Sequence, residues 1–423
     1  MRTTTIRGVA VDGPNRRRAV QPGDPHESTV EQAPGVWRIG SYPVAREVLQ
    51  ARGCTTQAGF TSEFVPKGRL KHHPILFSDG PLHDEQRRKV GRFFAPRVVS
   101  ERYRPLMVDA AERLLADAMD DAGDVGTAGG VGCWVEDLAL LYAVDVTRQV
   151  VGLTNSSVKG LAGRLVRFFN QPPFDITKPD LGRTRRQWAS AAVHGLGPVV
   201  SLYLADVRPA VRARRRRPGE DVISHLIAEG YTDVDILVEC VTYGTAGMVT
   251  TREFIAMALW HLLTDEDLRA GYLAADADGR IGVLEEIIRL EPVVGHIYRR
   301  VGEPLRVADG ADERCLGRGD LVDLQVRQAN VDPVVMGADP LSLCPGRPLD
   351  RDVHPAGLSF GDGAHRCPGQ ALALLETDVL LTRMLDLEPQ ILAEPRIEWD
   401  DLVAGYCLRG FRVGLAGHHL TNR

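Results

Sequence analysis

Apolar positions recur along this chain mostly at helical spacing. Residues 98–121 place Leu106, Ala110, Leu114 and Leu115 on one face, the period of an amphipathic helix. The same rhythm predicts helices over 81–94, 133–152, 155–169, 183–213 and 279–290. The longest helix is predicted from Thr232 or Asp233 to Leu263, interrupted midway by Gly244-Thr245-Ala246-Gly247. Residues 35–50 read as a short strand and a helix. Between 296 and 330, runs such as HIYRRV, LRVA and LVDLQV separated by Gly-rich turns predict strands. Gly123–Gly132 and the Pro-broken stretch 170–179 are breaks. Residues 331–366 show almost no periodicity and hold five Pro and five Gly, and so long an irregular segment usually carries function. A helix resumes just after Cys367. The expected fold is mostly α with minor β: a loose N-terminal tail over 1–28, then one large domain over 29–423.

Composition narrows the class. With 44% hydrophobic and 25% charged residues, the chain is neither disordered nor fibrous. No run of about 18 apolar residues suggests a spanning helix, and the first twenty-five residues lack the apolar core of a signal peptide. A cytoplasmic protein with no membrane partner is the expectation. A net charge of -5 argues against nucleic-acid binding. The seven Cys are scattered without a C-x-x-C pair, which fits a reducing compartment and gives no zinc spacing.

Cys367 stands apart, in Phe360-Gly361-Asp362-Gly363-Ala364-His365-Arg366-Cys367-Pro368-Gly369. Two glycines permit a tight turn, and the helix that follows puts the sulfur at a helix N-terminus, where amides and dipole favour a thiolate. One soft ligand on a rigid loop suits the axial position of a haem iron better than zinc.

The stretch resembles the haem-binding signature of the cytochrome P-450 family, F-x-x-G-x-H-x-C-x-G, matched at Phe360, Gly363, His365, Cys367 and Gly369. Further elements resemble the family in order and spacing over roughly residues 30–420. Glu286-Ile287-Ile288-Arg289 matches E-x-x-R, and Arg347, downstream of Asn330 and Asp332-Pro333, is the candidate that completes that ion pair as structural support. The resemblance implies a single domain of this type with haem b between the long central helix and the Cys367 loop. His83 and Arg87, four residues apart on one helix face, resemble the pair that binds one haem propionate, and Arg299 the residue that reaches the other.

In the central helix, Ala246-Gly247-Met248-Val249-Thr250-Thr251 resembles A-G-x-[D/E]-T-T. Ala246 and Gly247 are expected to let the helix approach the porphyrin, and Thr250 to hydrogen-bond bound dioxygen and pass protons. The alternative for Thr250 is a hydroxyl bonded back to its own helix. Val249 departs from the pattern, standing where the family carries Asp or Glu. Water, the substrate or Glu253 are the candidate proton sources, with an ion pair as the other reading of Glu253.

The implied function is oxidation of an apolar or aromatic small molecule by a monooxygenase of bacterial specialised metabolism. Oxidative coupling, cyclisation or desaturation at the same centre, a peroxide-driven enzyme and a haem-based sensor are the alternatives. Pocket candidates are Phe64, Phe168, Phe174, Tyr243, Val293, Val294, His296 and Tyr406. Electrons are expected from NAD(P)H through a ferredoxin reductase and a ferredoxin, the latter docking on Arg88, Lys89, Arg92, Arg97 and Arg366 of a monomeric protein.

Overall fold

The computed structural model describes residues 16–21, 29–59, 71–120, 131–169, 172, 174–401 and 404–415. The hairpin β1 (Val30–Ala33) and β2 (Val36–Ile39) leads into α1 (Tyr42–Gln50), and β3 (Thr55–Gln57) precedes α2 (Gly80–Gly91). After the single turn α3 (Pro96–Val98) comes α4 (Arg104–Asp120), whose Met107, Ala110, Ala111 and Leu115 are buried. The segment expected to open a helix at 133 instead begins as β4 (Val131–Trp134), held by a C-terminal strand, before α5 (Val135–Val151). Then follow α6 (Val158–Phe169), α7 (Arg185–Leu202), α8 (Arg208–Arg216) and α9 (Val222–Ala228).

The long central helix forms as expected, with a physical reason for its interruption. α10 (Asp233–Gly244) passes through a π-helical turn, Thr245–Val249, into α11 (Thr250–Thr264). Thr232 and Asp235 close a reciprocal capping box at its start. α12 (Glu266–Ala274) and α13 (Ala277–Leu290) pack beside it.

The minor β region comprises β5 (His296–Val301), the hairpin β6 (Leu305–Asp309) and β7 (Asp312–Leu316), and β8 (Leu321–Gln325). The main sheet runs β1-β2-β8-β5-β3, with β2 and β8 parallel. Short helices α14 (Val326–Ala329) and α15 (Pro333–Met336) open the irregular segment, and α16 (Gln370–Leu385) follows Cys367. Strands β9 (Gln390–Ala393), β10 (Arg396–Asp400), β11 (Gly405–Arg409) and β12 (Arg412–Leu415) complete the chain, β12 pairing with β4 and β9. The main core lies where α4, α5, α11, α13 and α16 meet; a second cluster joins α1 to the main sheet.

One expectation needs correction. Residues 16–21 are no loose tail: Arg17 is buried and donates to the carbonyls of Leu290 (2.8 Å) and Arg327 (2.6 Å). The helical stretch Arg185–Arg216 is long and apolar enough to meet the length and composition of a membrane span, only 11% of its most apolar window being buried. Its outward face carries Val193, Leu196, Val200 and Leu204.

Candidate active site

The cysteine loop is built from α13 outward. Arg289 and Glu286, one turn apart, pair bidentately at 2.6 and 2.7 Å in the core. The Arg289 guanidinium also donates to the carbonyls of Asn330 (2.7 Å), Pro340 (3.0 Å) and Ser342 (3.2 Å), tying the irregular segment to the helix. Arg347 joins the same carboxylate at 3.4 Å. Asn330 then receives the Leu358 amide at 2.7 Å, two residues before Phe360. This is the supporting arrangement expected of Glu286, Arg289 and Arg347.

The loop itself is clipped to α1, where Arg46 and Gln50 donate to Asp362 at 2.9 and 3.0 Å. Gly363 adopts φ +66, and a Cβ there would lie 2.2 Å from the Leu49 carbonyl oxygen, so only glycine fits. The Phe360 carbonyl accepts the Cys367 amide at 2.8 Å. Burial pushes the Cys367 thiol up, while the amides of Gly369 and Gln370 and the cations Arg87 and Arg366 favour the thiolate. Cys367 keeps accessible surface. Ala246, midway along the central helix, is likewise exposed.

Cations gather beside the loop. The His83 ring lies 4.2 Å from that of His365. Burial, with help from His365 and Arg87, drives the His83 pKa down to about 4. His365 pairs with Asp79 at 3.0 Å. Arg87 donates to the Arg366 carbonyl. Arg299 is 4% exposed and bonds two neutral acceptors, the Gln57 side chain and the Tyr298 carbonyl. Burial lowers its pKa to about 10, opposed by the field of Asp79. A buried guanidinium short of counter-charge and an accessible lone sulfur are the donor set that an iron porphyrin with two carboxylates requires.

In the central helix, Thr250 donates to the Ala246 carbonyl at 2.5 Å, the back-bonded alternative. A Cβ on Gly247 would lie 3.1 Å from the Thr147 hydroxyl. Val249 is buried. Glu253 is committed elsewhere: it accepts the Leu408 amide and the Arg409 guanidinium, each at 2.8 Å, and pairs with Arg252. The ion-pair reading of Glu253 stands and its use as a proton donor does not.

A cleft of about 190 Å³ is lined by Phe174, Ile297, Tyr298, Trp399 and the polar Gln21, Gln57, Asp175, His296, Asp400 and Asp401. Ile297 reaches to 3.9 Å from a Cβ placed on Gly361, so the cleft abuts the cysteine loop. Of the expected pocket residues, Phe174 and His296 line it, His296 being held by Asp323 at 2.7 Å. Tyr406 is wholly buried with its hydroxyl on the Glu291 carbonyl, and Val293 belongs to the core. Val294 is half-buried and outside the cleft lining. Tyr243 packs on Phe94. Phe168 borders a separate small gap between α6, α7 and α10. Phe64 lies outside the described residues. Gln57 falls within the stretch 57–73 expected to contribute to the pocket, whereas Asp79 and Trp399 were not foreseen; of these only Asp79, at the start of the His83 helix, sits where a local signal could have pointed.

This fold and its cysteine-bearing loop resemble those of haem-thiolate oxidoreductases. Residues 282–387 match the cytochrome P450 family model. Cytochrome P450 130 of Mycobacterium tuberculosis is 28% identical over 370 residues, 82% of this chain and 79% of its own. Nocardicin C N-oxygenase of Nocardia uniformis is 28% identical over 347 residues, 80% and 77% of the two chains. A solved structure described among unusual P450-like monooxygenases of microbial secondary metabolism shares the fold at a TM-score of 0.75, with 18% identity over 93% of this chain and 98% of that one. Over most of its length the chain is similar to cytochrome P450 monooxygenases, and the family model that its residues 282–387 match implies a haem cofactor.

Proposed function

We propose that this monooxygenase hydroxylates a ring-bearing, largely apolar small molecule of bacterial specialised metabolism. The observation that carries the reading is the cleft walled by Phe174, Tyr298 and Trp399, whose lining residue Ile297 lies beside Gly361 of the cysteine loop. Aromatic walls favour an aromatic or aliphatic ring. Relatives such as the nocardicin C N-oxygenase support the metabolic setting.

In this reading Cys367 would hold the haem iron, Arg87 and Arg299 would neutralise the two carboxylates of the cofactor, and His83 and His365 would offer them ring N–H donors. Phe360 positions the sulfur through its carbonyl. Haem, when bound, supplies reductive activation of dioxygen. Ala246 and Gly247 keep the helix face low, and the Thr250 hydroxyl stands ready to exchange a proton there. Electrons come from NAD(P)H through a ferredoxin reductase and a ferredoxin. Of the expected docking cations, Lys89 is paired with Glu85 and Glu229, and Arg97 with Glu101. Arg88 and Arg366 remain exposed for an acidic partner. Because Val249 removes the usual acid and Glu253 is locked, oxidative coupling or ring closure is the second reading.

The test is spectroscopic. Reduced wild-type protein with carbon monoxide should give the red-shifted band of thiolate haem, and Cys367→Ser should lose it. An identical band in the variant, or a wild-type protein that stays colourless with added hemin, refutes the assignment.

A further inference from the structure

We infer that one face of the central helix carries a buried, water-filled proton track that replaces the carboxyl side chain lacking at Val249. The inference rests on the monooxygenase reading above. Asp235, Glu239, Tyr243, Gly247 and Thr251 recur at every fourth position, so they form one row that winds along the helix, about 24 Å long at 1.5 Å per residue. The four with side chains are all buried. A polar stripe along a core helix is costly unless its groups are bonded.

Here they are not all bonded within the described residues. Glu239 Oε2, Tyr243 Oη, Thr147 Oγ1 and Glu376 Oε2 are buried without a hydrogen-bond partner. Each belongs to the stripe or touches it. The Tyr243 hydroxyl approaches the Glu239 carboxyl without closing a well-formed bond. Gly247 leaves the Thr147 hydroxyl of α5 facing the helix, since a Cβ would come within 3.1 Å of it. Thr251 lies against the Glu376 carboxyl of α16. Two more unpartnered atoms are His73 Nε2 in the loop before α2 and Gln86 Oε1 in α2. Groups one helical turn apart are separated by about 5.4 Å, the span of one water making two hydrogen bonds of about 2.8 Å each. Unpartnered buried polar atoms mark such waters.

The ends of the track suit its task. At the outer end Asp235 pairs with His72 at 3.2 Å, and the His72 side chain is 22% exposed; its ring stacks on Tyr231. Ile75 donates its amide to Glu239 Oε1 at 3.0 Å, which fixes that carboxyl against the loop. The ionisable groups interacting with Glu239 are Asp235, Cys240 and Tyr243 on its own helix and Tyr231; His72 reaches it through Asp235. At the inner end Thr251 adjoins Thr250. Burial holds Tyr243 and Glu376 protonated, and pushes Glu239 up to about 7, where a carboxyl both takes and releases a proton. For each proton released at Thr250–Thr251, one enters from solvent at His72–Asp235, and no side chain changes its charge over the cycle.

The test uses the haem-loaded protein. A crystal structure should show ordered waters bridging Glu239, Tyr243, Thr147 and Glu376; a dry gap, or direct side-chain bonds closing it, overturns the track. During NAD(P)H-driven oxygen reduction with a surrogate ferredoxin and its reductase, Glu239→Gln and Tyr243→Phe should each raise peroxide relative to water about tenfold. Glu239→Gln should also erase the step near neutral pH in that ratio. Unchanged ratios in both variants, with the thiolate carbon monoxide band intact, overturn the track alone. Absence of that band in the wild type sinks the monooxygenase reading instead.

Discussion

Glu286→Ala is the sharpest test of how the cysteine loop is held. The substitution leaves Arg289, which has no accessible surface, facing only the carbonyls of Asn330, Pro340 and Ser342. It also frees Arg347 and the Cys344 amide, which donates to the same carboxylate at 2.9 Å. Breaking a buried ion pair by removing one partner costs about 3–5 kcal/mol. At roughly 2.1 cal/mol/K per residue, the 423-residue chain unfolds with an entropy of about 0.9 kcal/mol/K. The melting temperature therefore falls by only about 3–6 °C. The local effect is larger, because Arg289 and Asn330 anchor the segment that delivers Phe360 and Cys367. Haem-to-protein absorbance after gel filtration should drop, and limited proteolysis should open sites between 331 and 359. Glu286→Gln, which keeps the shape, should fall between the two. Full haem retention and an unchanged digestion pattern in Glu286→Ala would refute this account of the support.

Gly363→Ala forces a Cβ into the Leu49 carbonyl at a positive φ; it should cost about 1–3 kcal/mol in backbone strain alone, and wild-type stability in urea would contradict that. Glu253→Gln should lose about 1.5–3 kcal/mol from its charged hydrogen bonds without altering peroxide release; altered release at wild-type stability would restore it as an acid. His83 has a folded pKa near 4 against an ordinary 6.5, so the unfolded haem-free chain binds the proton more readily. Stability should fall as pH drops from 6.5 toward 4, and His83→Gln should flatten part of that slope in denaturant titrations; an unaltered slope counts against the burial of His83.

What could be read from sequence was what is local. The Cys367 loop, Glu286–Arg289 and the broken central helix each sit within ten or so residues, where spacing alone fixes which groups meet. The role of Arg347 also emerged, because its partner segment has no competing periodicity. Tyr406 was misplaced because an aromatic residue near a strand start does not reveal which face is buried; its hydroxyl turns to Glu291, 115 residues away. Trp399 entered the cleft through pairing with Tyr406 across the β10–β11 ladder, a relation without local signal. The stripe from Asp235 to Thr251 is visible as a period of four, but only the packing of Thr147 and Glu376 against it shows that it is buried and underbonded. The N-terminal tail looked loose because its polar residues find partners only at the far end of the chain.

That last feature bears on how the protein is made. Arg17 bonds carbonyls 273 and 310 positions downstream, and Ala19 donates to Glu291 at 3.1 Å. During synthesis at roughly 5–20 residues per second, these early residues wait for Leu290, Glu291 and Arg327 to leave the ribosome. Residues 16–21 therefore dock only after position 327 has emerged, and a bulky fusion set directly before Arg16 would hinder that later step of folding rather than its start.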